Sequence, residues 1–156
     1  MLIFVEMKAL IQRVTRGSVT IEGQTFNSIV AGLVVLLGVK HGDTEENARY
    51  LAFKTINLRI FTDSEEKMNL SVMDTGGEIL VISQFTLYAD TKKGNRPSFM
   101  QAADPETAER LYNEYVTALK RTTGDSRVKT GVFRASMSVE IINDGPVTVE
   151  LSTDDK

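Results

Sequence analysis

The chain has 156 residues, 42 % of them hydrophobic and 25 % charged, the balance of a globular protein with a sizeable core and room for one domain over 1–156. It has no cysteine and a single histidine, His41. Disulfides, thiolate nucleophiles, zinc ribbons and iron–sulfur clusters are therefore excluded, and any histidine-based triad or metal site rests on one residue. Eighteen Lys and Arg (18) against 21 Asp and Glu give a net charge of −3, which excludes a basic nucleic-acid coat protein.

The opening Met1-Leu2-Ile3-Phe4-Val5 is apolar but lacks a basic start and is interrupted by Glu6 and Lys8, so residues 1–6 read as an extension without function. Residues 9–14 and 19–21 are β-rich, and Glu22-Gly23 reads as a hairpin turn before a strand at 25–30. The aliphatic run at 33–39 has the length of a strand buried on both faces. The longest apolar run, 29–39, is broken by Gly32 and Gly38 and falls short of the roughly 20 residues a bilayer span needs, so no membrane association is expected.

A helix follows, with Asp43 as its expected cap, Glu46 at capping-box spacing, and Ala48, Leu51, Ala52, Thr55 and Leu58 on one face. Residues 59–61 read as a short strand, and 63–67 and 74–77 as turns. A strong strand at 79–82 delivers Ser83-Gln84-Phe85 at its end. After a polar loop over 88–101, a second helix starts at Asp104 with Pro105 in its first position, where the missing N–H costs nothing. Its apolar stripe is Ala108, Leu111, Tyr112, Tyr115 and Leu119. The end alternates: Met137, Val139 and Ile141, then Val147, Val149 and Leu151 after Asn143-Asp144-Gly145-Pro146. Many strands with two main helices predict an α+β fold of mostly antiparallel sheets curling toward a barrel.

Three segments have the residue types for chemistry. Ser83-Gln84 sits at a strand end, where side chains and two backbone N–H groups are available to hold an oxyanion, or merely to satisfy a local turn. Thr130-Gly131-Val132-Phe133 offers a hydroxyl beside a glycine that permits close backbone approach. Gly145-Pro146 reads either as a plain turn or as a cis bond that turns neighbouring carbonyls to one side. No base is evident beside either hydroxyl, and His41 reads as a solvated turn residue, which argues against an ordinary Ser or Thr nucleophile. Basic residues gather in the second half, among them Lys92, Lys93, Arg96, Arg127, Lys129 and Arg134, as either a phosphate-holding face or a solvated mixed surface. No carboxylate pair, metal-ligand spacing or Walker loop is present, so no metal and no cofactor is expected.

The motifs together resemble the D-aminoacyl-tRNA deacylase family. The segment from Met7 to Arg16 is similar to that family's first strand. Lys67-Met68-Asn69-Leu70, Ser83-Gln84-Phe85-Thr86-Leu87, Arg96-Pro97-Ser98-Phe99, Thr130-Gly131-Val132-Phe133 and Asn143-Asp144-Gly145-Pro146-Val147-Thr148 match in the family's order. Glu66 stands where the family often has glycine, and Val132 where it often has a polar residue. The resemblance implies a cytoplasmic homodimer that hydrolyses the ester joining a D-amino acid to the 3′ end of tRNA, and that also acts on glycyl-tRNA(Ala). It implies a cis Gly145-Pro146 reaching into the partner's pocket to reject L-aminoacyl groups. Ser83, Gln84 and Thr130 would line and orient the site, with Phe85, Gly131, Phe133 and Arg13 binding substrate. Lys92, Lys93, Arg96 and Lys129 would contact tRNA. The family's use of the RNA's own 2′-hydroxyl fits the missing base. The competing readings are a Ser83- or Thr130-dependent esterase and a non-catalytic tRNA-binding module.

Overall fold

The computed structural model describes residues 6–155, so the expected extension lies outside the described residues except for Glu6. The elements run β1 (Lys8–Ile21), β2 (Gln24–Ile29), β3 (Gly32–Gly38), α1 (Glu45–Asn57), β4 (Phe61–Thr62), β5 (Met68–Leu70), α2 (Val72–Thr75), β6 (Glu78–Ser83), a 3₁₀ turn (Phe85–Tyr88), α3 (Pro105–Thr123), β7 (Val128–Thr130) and β8 (Ser138–Ser152). The main sheet has the order β2-β1-β3-β6-β7, and β8 pairs with the other edge of β1. β1 is antiparallel to β2, β3 and β8, while β3–β6 and β6–β7 are parallel. The sheet curls until Asn27 Nδ2 on β2 donates to the Thr130 carbonyl on β7 at 2.7 Å, which nearly closes a barrel and bears out the expected architecture.

The pleat divides the core into two layers. On β3, Leu33, Val35 and Leu37 pack under α1 and α3, and on β6 Ile79 and Val81 do the same. Val34, Leu80 and Ile82 point the other way, into the curl with Val14, Val19 and Ile29. A strand covered on both faces must be apolar at every position, as the aliphatic run predicted. Gly32 permits the close parallel pairing: a Cβ there would lie 1.8 Å from the Glu78 carbonyl oxygen.

The helices follow their sequence patterns, with one change. α3 starts at Asp104, whose carboxylate accepts from the Thr107 N–H at 3.0 Å, with Pro105 next. α1 is capped by Thr44 and Asn47 rather than by Asp43 and Glu46. Asp43 is instead buried, its Oδ2 accepting from the Lys40 N–H at 2.6 Å while its Oδ1 has no partner among the described residues. The two alternating segments at the end form one strand, β8, from which residues 144–147 bulge without partners on β1, because Gln12 pairs with Thr148 and Val14 with Asn143. Glu66 stands at φ 64°, in the left-handed region that a glycine enters freely, which is why glycine suits that position. No helix among the described residues is long and apolar enough to cross a membrane.

The loop after β3 is stitched to the chain before α3. His41 N–H donates to the Gln101 carbonyl at 3.0 Å, and Ala103 N–H to the Val39 carbonyl at 3.0 Å. Asp43 anchors this junction, and its burial raises its pKa from an ordinary 3.8 to about 6, against the opposing pull of the Lys40 N–H and charge. Native Asp43 thus holds its proton more tightly than the unfolded chain does. Its contribution favours the native state most below about pH 4 and is lost as pH rises through about 6. Asp43→Asn keeps an acceptor for Lys40 without the charge. It is expected to gain roughly 1–3 kcal/mol over the parent at pH 8, with the gap closing by about pH 4, in denaturant titrations at both pH values.

Candidate active site

β6 and β3 end in register, Leu37 opposite Ser83, and the chain leaves the sheet there. Gln84 N–H donates back to the Leu37 carbonyl at 2.8 Å. That N–H is therefore committed, which corrects the expectation of two open N–H groups at this strand end. The Gln84 amide nitrogen bonds to Thr86 Oγ1, and the 3₁₀ turn carries Phe85, still 55 % exposed, against Phe99 in an edge-to-face contact at 5.0 Å.

A cavity of about 580 Å³ opens at this point. Ser83, Gln84 and Phe85 form one wall, Phe99, Ala102 and Ala103 a second, and Pro105 and Ala108 of α3 a third. Phe133, Arg134, Ala135 and Met137 close it from the segment after β7. Gly131 abuts this wall: a Cβ there would fall 2.6 Å from Met137 Sδ and 3.3 Å from Ile82 Cδ1. Arg134 is the sole ionisable side chain in the lining, so no carboxylate or imidazole stands ready as a general base. Among the described residues no group of His, Cys, Asp and Glu is placed to hold a metal ion.

The predicted residues divide into two groups. Ser83, Gln84, Phe85 and Phe133 share the cavity, with Gly131 beside it. Thr130 is not in the lining. Its side chain faces Tyr112, and its carbonyl accepts from the Asn27 amide. Arg13, Gly145 and Pro146 are absent from the lining as well. Gly145-Pro146 is cis and exposed on β8. Asn143 cinches its loop: Oδ1 accepts from the Val147 N–H at 2.7 Å, and Nδ2 donates to Val147 O, Thr148 Oγ1 and Gln12 Oε1. Arg13 buttresses it from β1, Nε donating to the Asp144 carbonyl at 3.0 Å and Nη1 to the Ile60 carbonyl at 2.8 Å.

The basic residues also separate. Lys92, Lys93 and Arg96 are exposed in the loop between Phe85 and Phe99, and Lys129 is half-buried opposite Leu80 on β7. Arg127 belongs to no basic face: it donates to the carbonyls of Gly77 and Val72 and closes the end of α2. The α3 wall and Met137 escaped sequence reading because Ala and Met carry no chemical signal; Phe99 was legible only through its motif.

A sequence profile described as D-Tyr-tRNA(Tyr) deacylase matches residues 10–152. The D-aminoacyl-tRNA deacylase of Dehalococcoides mccartyi is 57 % identical over 150 residues, covering 96 % of this chain and 97 % of its own. The chain belongs to the D-aminoacyl-tRNA deacylase family. The deacylase of Carboxydothermus hydrogenoformans is 54 % identical over 143 residues, covering 92 % of this chain and 97 % of its own. Among solved structures, the c-Myc DNA unwinding element binding protein superposes with a TM-score of 0.88 at 46 % identity, over 92 % of this chain and 97 % of that one. A probable eukaryotic D-amino acid tRNA deacylase shares the fold, with a TM-score of 0.80 at 18 % identity over 94 % of this chain and 99 % of its own. Family membership makes this chain a hydrolase with the deacylase's role in chirality proofreading.

With no base in the lining, neither hydroxyl is set up as a nucleophile. Ser83→Ala and Thr130→Ala are each expected to keep deacylase turnover within about tenfold of the parent, whereas loss of a true nucleophile costs about 10⁴-fold or more. Trapping of an acyl-enzyme on either residue would contradict this.

Proposed function

We propose that the 580 Å³ cavity receives the aminoacylated 3′-terminal adenosine of tRNA, and that the ester is hydrolysed with help from the RNA rather than from a protein nucleophile. The observation that carries this reading is the lining itself: aromatic and small apolar walls, the Ser83 hydroxyl, and no carboxylate or imidazole. Phe85, Phe99 and Phe133 suit a nucleoside, because base faces stack on aromatic rings. Ser83 and Gln84 supply polar groups that orient the ester, and Gly131 lets the backbone approach it. The exposed Lys92, Lys93 and Arg96 flank the Phe85–Phe99 wall and suit the phosphates of the acceptor end, with Lys129 on β7 a further cation.

In this reading the functional unit is a homodimer. Gly145-Pro146 is exposed and outside its own chain's cavity, so a second copy would bring that loop to the first copy's site. Asn143 and Arg13 make the loop rigid enough to act as a wall. Rigidity matters for chirality: a wall that leaves no room for a Cβ on the L side rejects every L-residue by clash, and a D side chain points away from it. Glycine, with no Cβ, passes such a wall.

Two outcomes test this. Glycyl-tRNA and D-alanyl-tRNA are expected to be hydrolysed and L-alanyl-tRNA spared, in one assay under one set of conditions. A pocket merely choosing by size would separate glycine from L-alanine by only about 1–3 kcal/mol. Comparable hydrolysis of L-alanyl-tRNA would move chiral selection away from the Gly145-Pro146 loop. Separately, tRNA ending in 2′-deoxyadenosine is expected to be a poor substrate, and its turnover at the normal rate would refute the RNA-assisted step.

A further inference from the structure

Two chain segments that build the cavity leave the sheet side by side. β6 runs into Ser83-Gln84-Phe85, and β7 runs into Gly131-Val132-Phe133. Their parallel ladder ends at the pair Val81 and Thr130. Beyond that pair the backbone link is poor: Gly131 N–H reaches the Val81 carbonyl only at 3.4 Å. A side chain completes the joint. Tyr112 of α3, 5 % exposed, donates its hydroxyl to the same Val81 carbonyl at 2.7 Å. The Thr130 side chain faces the same phenol from β7. The Tyr112 ring lies 6.2 Å from that of Phe133, and one helical turn earlier Ala108 lines the cavity.

We propose that Tyr112 is a positioning residue of the hydrolytic site, clamping the strand end that carries Gly131 and Phe133 against the strand end that carries Ser83. The inference rests on the reading of the cavity as the nucleoside site. The phenol is suited to the task because its hydroxyl holds the Val81 carbonyl of one strand while its ring packs near Phe133 beyond the other. Burial pushes its pKa up, so it stays a neutral donor throughout the physiological range. Its α3 neighbour Tyr115 has no such link: that hydroxyl bonds to Thr55 of α1, inside the helix layer. Of these two buried phenols, Tyr112 alone joins the two segments that form the site.

Tyr112→Phe keeps the ring and its packing against Phe133 and removes only the joint. Thr130→Val removes the polar group that faces the phenol from β7, so the test survives if either variant folds poorly. With D-tyrosyl-tRNA, each variant is expected to raise KM about fivefold while kcat stays within about twofold, because a loosened wall weakens ground-state and transition-state binding alike. The double variant should be no worse than the poorer single one, because both act on one joint. Amide hydrogen exchange at Gly131 and Val132 should quicken in both, a readout independent of activity. Unchanged KM together with unchanged exchange overturns the clamp, and so does a fall in kcat alone that tracks loss of folded protein. If the parent protein itself fails to hydrolyse D-tyrosyl-tRNA, the reading of the cavity fails instead, and exchange still decides whether the clamp exists.

Discussion

The parallel pairing of β3 with β6 is the constraint on which the rest of the molecule depends. Parallel neighbours cannot be joined by a tight turn, so each parallel step needs a long crossover. The step from β3 to β6 carries α1, and the step from β6 to β7 carries α3. Both helices pack on the same face, over Leu33, Val35, Ile79 and Val81. The opposite face of those strands is covered by the curl of the sheet. The cavity at Ser83 opens at the carboxyl end of β6, with the start of α3 as one of its walls.

A second, independent structure lies on β8. The loop at Gly145-Pro146 is held by the Asn143 side chain from within and by Arg13 from the neighbouring strand. The Arg13 guanidinium is largely sheltered, at 12 % side-chain exposure, and its bonds to two carbonyls resist the rearrangement a surface ion pair would permit. The cavity at Ser83 and the loop at Gly145-Pro146 thus lie apart on one sheet, and in the proposed function one would hold the nucleotide while the other, from a second copy, would meet the amino acid.

Local chemistry was legible wherever it was encoded by neighbours in the chain. The start of α3 follows from Asp104 and Pro105, and the turn at Glu22-Gly23 from its residue types, both with positive φ. The cap of α1 was misplaced by one residue because Asp43, Thr44, Glu46 and Asn47 all suit a capping pattern. Thr44 and Asn47 win because the Asp43 carboxylate is drawn inward to the Lys40 N–H. The strand through 138–152 reads as two because Gly145-Pro146 carries every local sign of a turn. Those signs are met locally, because residues 144–147 leave the ladder with β1 and pairing resumes on either side.

The sequence by itself determined the α+β class, the buried strands, the family, and Ser83, Gln84, Phe85 and Phe133 at the cavity. Each of these is written either in short-range periodicity or in motifs whose residue types have few alternatives. The tertiary structure decided what those residues face. Gln84 loses its backbone N–H to Leu37, Thr130 turns to Tyr112 instead of the cavity, and Arg127 serves the carbonyls of Gly77 and Val72. It also recruited Tyr112, whose helical spacing marks it only as core. The physical reason is common to all of them. A polar group removed from water must find a partner, and which partner lies within reach depends on strands and helices brought together from distant parts of the chain.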